Sequence, residues 1–225
     1  MCVSAGKSLV GLSRLLSKII LVIASLFAVC IGLIHAQPYD DSELRAVLTP
    51  PDGCPMPCFM GIRPGVTTLE EAGLILTTHS WVRGVRAFYN SRTGETTMLQ
   101  WAWNGSQPDW IDGSKPAYVY GGESHTILSL TIETAIPFGD LWLGLGKPDR
   151  GALQRVGGFV GVMVQNAGYF NGSFGARSEF PCPVRRDEIF HAPVSISFVA
   201  DVNALVGDQD YSLSDWGKLR RCLVD

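Results

Sequence analysis

The sequence predicts an α+β fold: a tandem of two helix-plus-antiparallel-sheet (αβββ) units with a C-terminal helix, behind an N-terminal export or membrane segment. Three observations predict it. An uncharged apolar run follows a basic start. A capped helical period then gives way to period-2 alternation. That helix-then-strands order comes round again about 70 residues later, followed by a last helical stretch.

Residues 1–36 have the order of an export signal. Lys7, Arg14 and Lys18 supply a basic region, Ile19–Ile34 runs 16 residues without a charge, and His35-Ala36-Gln37-Pro38 follows. Sixteen helical residues cover roughly 24 Å, against about 30 Å of bilayer hydrocarbon. The run is therefore short for an anchor and ample for a cleaved signal, with Ala36 before the cut; an uncleaved N-terminal anchor is the alternative. Lipidation at Cys30 is disfavoured by Val29, which stands where a small residue is wanted. Either way the body is expected to be extracytoplasmic, secreted or held at the membrane.

The remainder, Gln37–Asp225, is 225 − 36 = 189 residues, enough for a real core. The leader takes three of the 18 basic residues, so 15 face 21 acidic ones and the body carries about −6. That balance excludes the basic stripe of a nucleic-acid binder. Cys54, Cys58, Cys182 and Cys222 form an even set, read in an oxidising compartment as two disulfides. Cys54–Cys58 and Cys182–Cys222 are the favoured pairs, since Pro55 and Pro57 hold the first two cysteines together. The second bond would close a loop of about 40 residues, worth about 3–4 kcal/mol. Crossed pairing of Cys58 with Cys182 stays open.

Residues 37–53 read as a linker and Leu48–Cys58 as a proline-rich extended loop. The first unit is set at 54–135. Thr67 and Glu70 have capping-box spacing, and Leu69, Ala72 and Leu76 follow at helical spacing, so a helix is expected over about 68–78. His79 closes it, where a cation would suit the dipole. Val85, Ala87 and Tyr89 alternate, residues 91–95 turn, and Leu99, Trp101 and Trp103 alternate again, a hairpin. After a loop over 104–115, Leu128, Leu130 and Ile132 face opposite Ser129, Thr131 and Glu133, the pattern of a half-buried strand.

The second unit is set at 136–225. Phe138, Leu141, Trp142 and Leu145 lie on one helical face, and Gly146 and Pro148 stop it. Strands are expected at 159–164, 169–174 and 194–200. A last helix opens near Ser214, with Asp215 at its start and Lys218, Arg220 and Arg221 toward its end.

Cys58-Phe-Met-Gly-Ile-Arg-Pro-Gly-Val-Thr-Thr-Leu-Glu-Glu-Ala72 and Phe138-Gly-Asp-Leu-Trp-Leu-Gly-Leu-Gly-Lys-Pro-Asp149 carry two resemblances. Over most of the body the chain resembles a group of uncharacterised exported bacterial proteins with a proline–cysteine start and a Gly-Ile-x-Pro-Gly-x-Thr-Thr helix. That group brings no activity with it. Over a short stretch of each unit it is similar to small envelope domains, the outer-membrane assembly lipoprotein BamE and the β-lactamase-inhibitor-like fold. It departs from the lipoprotein in lacking a lipobox and in being doubled. The likeness implies a non-enzymatic envelope protein that binds other proteins through sheet or helix surfaces; fold alone does not fix function.

The candidate chemistry is sparse. Cys54-Pro-Met-Pro-Cys58 has three intervening residues and no immediate helix, unlike an active dithiol, and reads as a structural bond. His79, His125 and His191 lie in dissimilar segments without zinc-ligand spacing, so no metal is expected. No Gly-x-Ser-x-Gly elbow exists, and Gly144 and Gly146 read as a helix end rather than a dinucleotide loop. Asn104-Gly-Ser106 and Asn171-Gly-Ser173 match the glycosylation pattern and read as turns in a bacterial protein. No catalytic residue and no cofactor is expected.

The aromatics are the one feature that suggests a surface. Trp101 and Trp103 share a strand face and read as core. Trp110 lies in a polar loop, where an exposed indole can stack on a sugar or anchor a protein contact, with Gln107, Asp109 and Asp112 as hydrogen-bonding neighbours. The expected function is therefore a non-enzymatic envelope protein that binds another protein. A glycan or peptidoglycan binder using exposed tryptophans is the alternative.

Overall fold

The structure, a computed structural model, describes residues 5–36, 42–49, 53–122, 125–156, 161–170, 173–183 and 185–200. The chain forms two compact units, Met1–Asp40 and Asp41–Asp225. The first is helix α1, Ala5–Ala36, of 32 residues, or roughly 48 Å. Its Leu16–Leu33 stretch has no buried residue and is long and apolar enough to cross a membrane. That window takes in Lys18 and so, at 18 residues, is longer than the 16 uncharged residues visible in sequence.

The described residues of the second unit hold eight strands in a single sheet: β1 Val82–Tyr89, β2 Thr96–Trp103, β3 Ala117–Gly121, β4 Ile127–Pro137, β5 Arg150–Val156, β6 Val162–Tyr169, β7 Phe174–Pro181 and β8 Pro193–Val199. Their spatial order is β1-β2-β3-β4-β8-β7-β6-β5, and every pairing is antiparallel. Two four-stranded meanders therefore meet along their last strands, with Leu130 opposite Phe198 and Ile132 opposite Ile196. The α+β class holds. The αβββ tandem is corrected to four strands in each half and one continuous sheet. β3, β5 and β7 went unread; of the strand expected at 169–174, Tyr169 ends β6, Phe174 opens β7, and Phe170 lies in the left-handed region at φ 55°.

Helix α3, Leu69–Thr78, is packed by Leu69, Ala72 and Leu76 onto β1, β2 and β3. Its capping box is Thr68 with Glu71, one residue beyond the Thr67–Glu70 pair. Thr68 N–H donates to Glu71 Oε2 at 2.8 Å, and Glu71 N–H donates to Thr68 Oγ1 at 3.2 Å. Both pairs have the required spacing, but Thr67 is engaged elsewhere. Its hydroxyl accepts from Arg63 N–H at 2.9 Å and its carbonyl from Ile127 N–H at 2.9 Å. His79 does close the helix, but not as a favoured cation. Burial pushes its imidazole below the ordinary value, and its Nδ1 accepts from Trp81 N–H at 3.2 Å.

Three shorter helices lie among the described residues of the body: α2 Ser42–Leu48, α4 Phe138–Leu145 and α5 Arg186–His191. α2 lies inside the expected linker; it is held because Leu44 is buried in the main core. Leu44, Leu69, Phe138 and Leu141 share that core with Leu99, Trp101, Leu130, Ile132, Ile196 and Phe198. Ile189 of α5 packs with Leu153, Met163 and Phe180 in a smaller cluster. Among the described residues, α2, α3, α4 and α5 thus all cover the same side of the sheet. The helix expected near Ser214 lies outside the described residues.

Candidate binding face

The other side of the sheet follows from alternation. Along β4, Leu130, Ile132, Thr134 and Ile136 are buried toward the helices, and Ser129, Thr131 and Glu133 emerge opposite. Register carries this across the neighbours. Tyr118 faces Thr131 and Tyr120 faces Ser129. Thr131 faces Ser197 and Glu133 faces Ser195, and Ser195 faces Arg177. β7 then supplies Arg177 and Glu179, both exposed while their neighbour Ser178 is buried.

These side chains form a polar surface with an aromatic edge. The Tyr118 and Tyr120 rings stack at 6.3 Å with 24° between planes. The Thr131 and Ser197 hydroxyls hydrogen-bond at 2.9 Å. Arg177 Nε donates to Glu179 Oε1 at 2.9 Å, and Ser195 Oγ donates to the Arg177 carbonyl at 3.3 Å. A cleft of about 420 Å³ runs among Lys115, Tyr118, Tyr120, Glu133, Arg177 and Ser195. Two cations stand near two carboxylates, so the surface offers both charge signs, hydroxyls and stacked rings. It can hydrogen-bond and stack against a ligand.

A second cleft, about 540 Å³, lies at the start of α3, lined by Thr68, Glu70, Glu95, Thr96 and His125 among others. His125 Nε2 stands 3.8 Å from Glu95 Oε1, both side chains more than half exposed. His125 sits at φ 59°, and its carbonyl accepts from Leu69 N–H at 3.0 Å. The strained residue thereby serves the first turn of α3. Among the described residues no group of three His, Cys, Asp or Glu side chains is arranged to hold a metal.

The loop singled out in sequence has another role. Trp110 is only 4% exposed; its ring meets Phe59 edge-on at 6.1 Å, and Phe59 stacks on Phe198 at 5.5 Å. The backbone fixes it there. Ala135 N–H donates to the Trp110 carbonyl at 2.9 Å and Asp112 N–H to the Glu133 carbonyl at 3.0 Å, with an Ile111–Thr134 bridge between. The loop therefore pairs with the far half of β4, and the indole points into the core rather than offering a face to a sugar.

Its polar neighbours are partly spent within the loop. Gln107 Oε1 accepts from Gly105 N–H at 3.0 Å, and Asp112 Oδ1 accepts from Ser114 Oγ at 2.6 Å. The Ser114 hydroxyl, opposed by burial and helped by Ser114 N–H and Lys115, holds the Asp112 carboxyl below its ordinary value. Asp109 is exposed. Asn104 makes the expected turn, its Oδ1 accepting from Ser106 N–H at 2.9 Å.

Trp101 and Trp103 are core residues, edge to face at 5.5 Å. Cys54 and Cys58 are bonded, with Cα atoms 5.9 Å apart. Cys182 is also disulfide-bonded; Cys222 lies outside the described residues. The side chains sequence reasoning missed are Tyr118 and Tyr120. Their signal was Ala117-Tyr-Val-Tyr-Gly121, in which alanine and valine point in and both tyrosines out.

Comparison of the chain with protein-family models, with curated proteins and with solved structures found no match.

Proposed function

We propose that this chain is a non-enzymatic extracytoplasmic binding protein, exported or held at a membrane by α1, whose open sheet face engages a protein of mixed surface charge. The observation that carries the reading is the exposed stretch of sheet opposite the helices over β3, β4 and β7; elsewhere on that face Val164 and Val199 are buried. The described helices of the body cover one side of the sheet, and the other presents the Tyr118–Tyr120 stack beside Lys115, Glu133, Arg177 and Glu179. Tyrosine and arginine are favoured at interface hot spots because they bury large area and hydrogen-bond at the rim. The Cys54–Cys58 bond and the apolar helix α1 support an oxidising, extracytoplasmic setting. The likeness to envelope domains that bind proteins through their sheets points the same way, as an analogy of fold.

Crosslinking in the native cells, followed by capture of the tagged full-length chain, tests the reading. One envelope protein is expected repeatedly with the wild type and is expected to be lost with Tyr118→Ala/Tyr120→Ala at unchanged melting temperature. Cell-wall polysaccharide retained equally by both chains would overturn it, as would turnover in a broad hydrolase screen. The amino terminus of the purified protein decides the fate of α1: Gln37 marks an exported chain and Met1 an anchored one.

A further inference from the structure

The described sheet ends at two strands, β1 and β5, and they are finished differently. On β5, Gly151, Ala152 and Leu153 are buried in succession. On β1, Arg83, Gly84, Arg86, Phe88 and Tyr89 are exposed. A glycine has no side chain to show, so the exposure of Gly84 is exposure of the main chain itself. Among the described residues β1 pairs with β2 alone, so its other side has no strand beside it. Register shifts at Val82/Gly84 and Phe88/Tyr89 bound the regular stretch. Gly84–Phe88, between them, has the length of an ordinary short strand. Such an edge is a ready template for another strand.

Its surroundings say which kind of strand. The body carries about −6, yet between residues 80 and 103 Arg83, Arg86 and Arg92 face only Glu95. Glu95 stands 3.8 Å from His125, and among the described residues none of these arginines has an ionic partner. Beside the edge lies a hollow of about 320 Å³, lined by Gly84, Arg86, Gln100, Ala102 and Pro116 among others. Register explains it. Gly84 is opposite Ala102 and Arg86 opposite Gln100, so small residues leave space next to a guanidinium and an amide on the open face. Every second side chain of an added strand would point to that face, where Arg86 and Gln100 offer donors that suit a carboxylate. A second copy of the chain fits worse. Antiparallel pairing of β1 with itself brings Arg83 and Arg86 of both copies onto one short ladder, and like charges across strands repel.

We infer that the β1 edge takes an acidic, extended segment of a partner protein as an added strand, with a carboxylate side chain in the hollow beside Arg86. The inference concerns the edge of the sheet and does not rest on the Tyr118–Tyr120 reading. Displayed random peptides of about seven residues, within the usual length of a strand, selected on the full-length chain in detergent, test it. Enriched peptides are expected to carry Asp or Glu at alternate positions. Arg83→Ala/Arg86→Ala is expected to weaken the best of them about tenfold, as loss of a charge-assisted contact does, at unchanged melting temperature. Methylating one alternate set of that peptide's backbone nitrogens is expected to abolish binding, and methylating the other set to spare it. Hydrogen exchange over Gly84–Phe88 is expected to slow when the unmodified peptide is bound. Selection without enrichment overturns the inference. So do enriched peptides that bind the double variant equally well, or that leave exchange in β1 unchanged. A dimer of the peptide-free chain with β1 already protected overturns it in favour of self-pairing.

Discussion

At the scale of single residues, the Thr68–Glu71 reciprocal cap sets the start of α3. Thr68→Ala is expected to cost about 1 kcal/mol, the usual loss for a hydroxyl N-cap, read as a lower urea midpoint. The Thr68 backbone and side-chain hydrogen bonds hold the Glu71 carboxyl below 4.5. Its contribution is therefore complete above the unfolded value and lost as pH falls through the lower folded one. That acid sensitivity is expected to shrink in Thr68→Ala. His79 behaves alike for a different cause. Burial lowers its value from 6.5, so the unfolded chain binds the proton more readily. Stability from this group is complete above about 6.5 and falls as pH drops toward the folded value. In a urea series from pH 7.5 down to 5, His79→Phe is expected to lose less stability than the wild type.

Among the elements, the loop over 104–116 behaves as part of the core. Trp110→Ala is expected to cost about 3–5 kcal/mol, as for other buried aromatics, and to lower the melting temperature sharply. Unchanged melting would contradict the packing of Trp110 on Phe59. The indole was read as a surface group because Gln107, Asp109 and Asp112 surround it in sequence, and polarity of neighbours says nothing about a bridge to β4 that closes 24 residues away at Thr134. Elements with one wet face were legible: α3, the β1–β2 hairpin, and β4 through Leu130 to Glu133. β3 was not, because its outward positions are tyrosines and every residue looks apolar. β5 was not, because Gly151, Ala152 and Leu153 are buried in succession and erase the period of two. The capping box was found one residue early, since spacing alone fits two adjacent threonine–glutamate pairs. The proposed binding face inherits these gaps: its aromatic edge stands on the strand that periodicity could not resolve.

For the whole molecule, the β4–β8 seam matters most. Two αβββ tandem units would be expected to melt separately. One sheet with Leu130, Ile132, Ile196 and Phe198 packed across its middle is expected to melt once. Calorimetry of the full chain should then give a calorimetric enthalpy equal to the van't Hoff value for the body; two resolved transitions would contradict the shared core. Ile196→Ala, expected to cost about 2–5 kcal/mol, should lower that single transition without dividing it.

The same seam sets a timetable for a chain that folds as it is delivered. Every other strand pairing joins neighbours in sequence, whereas Thr131 meets Ser197 across 66 positions. The first meander can zip as soon as it emerges, and β4 then waits with one row of peptide groups unpaired until β8 arrives. During that interval the nascent protein carries an open, apolar strand edge of the kind that pairs with strangers. A delay in delivering residues 138–199 would therefore favour aggregation over degradation of a loosely folded half, and a holding chaperone would find its grip on β4.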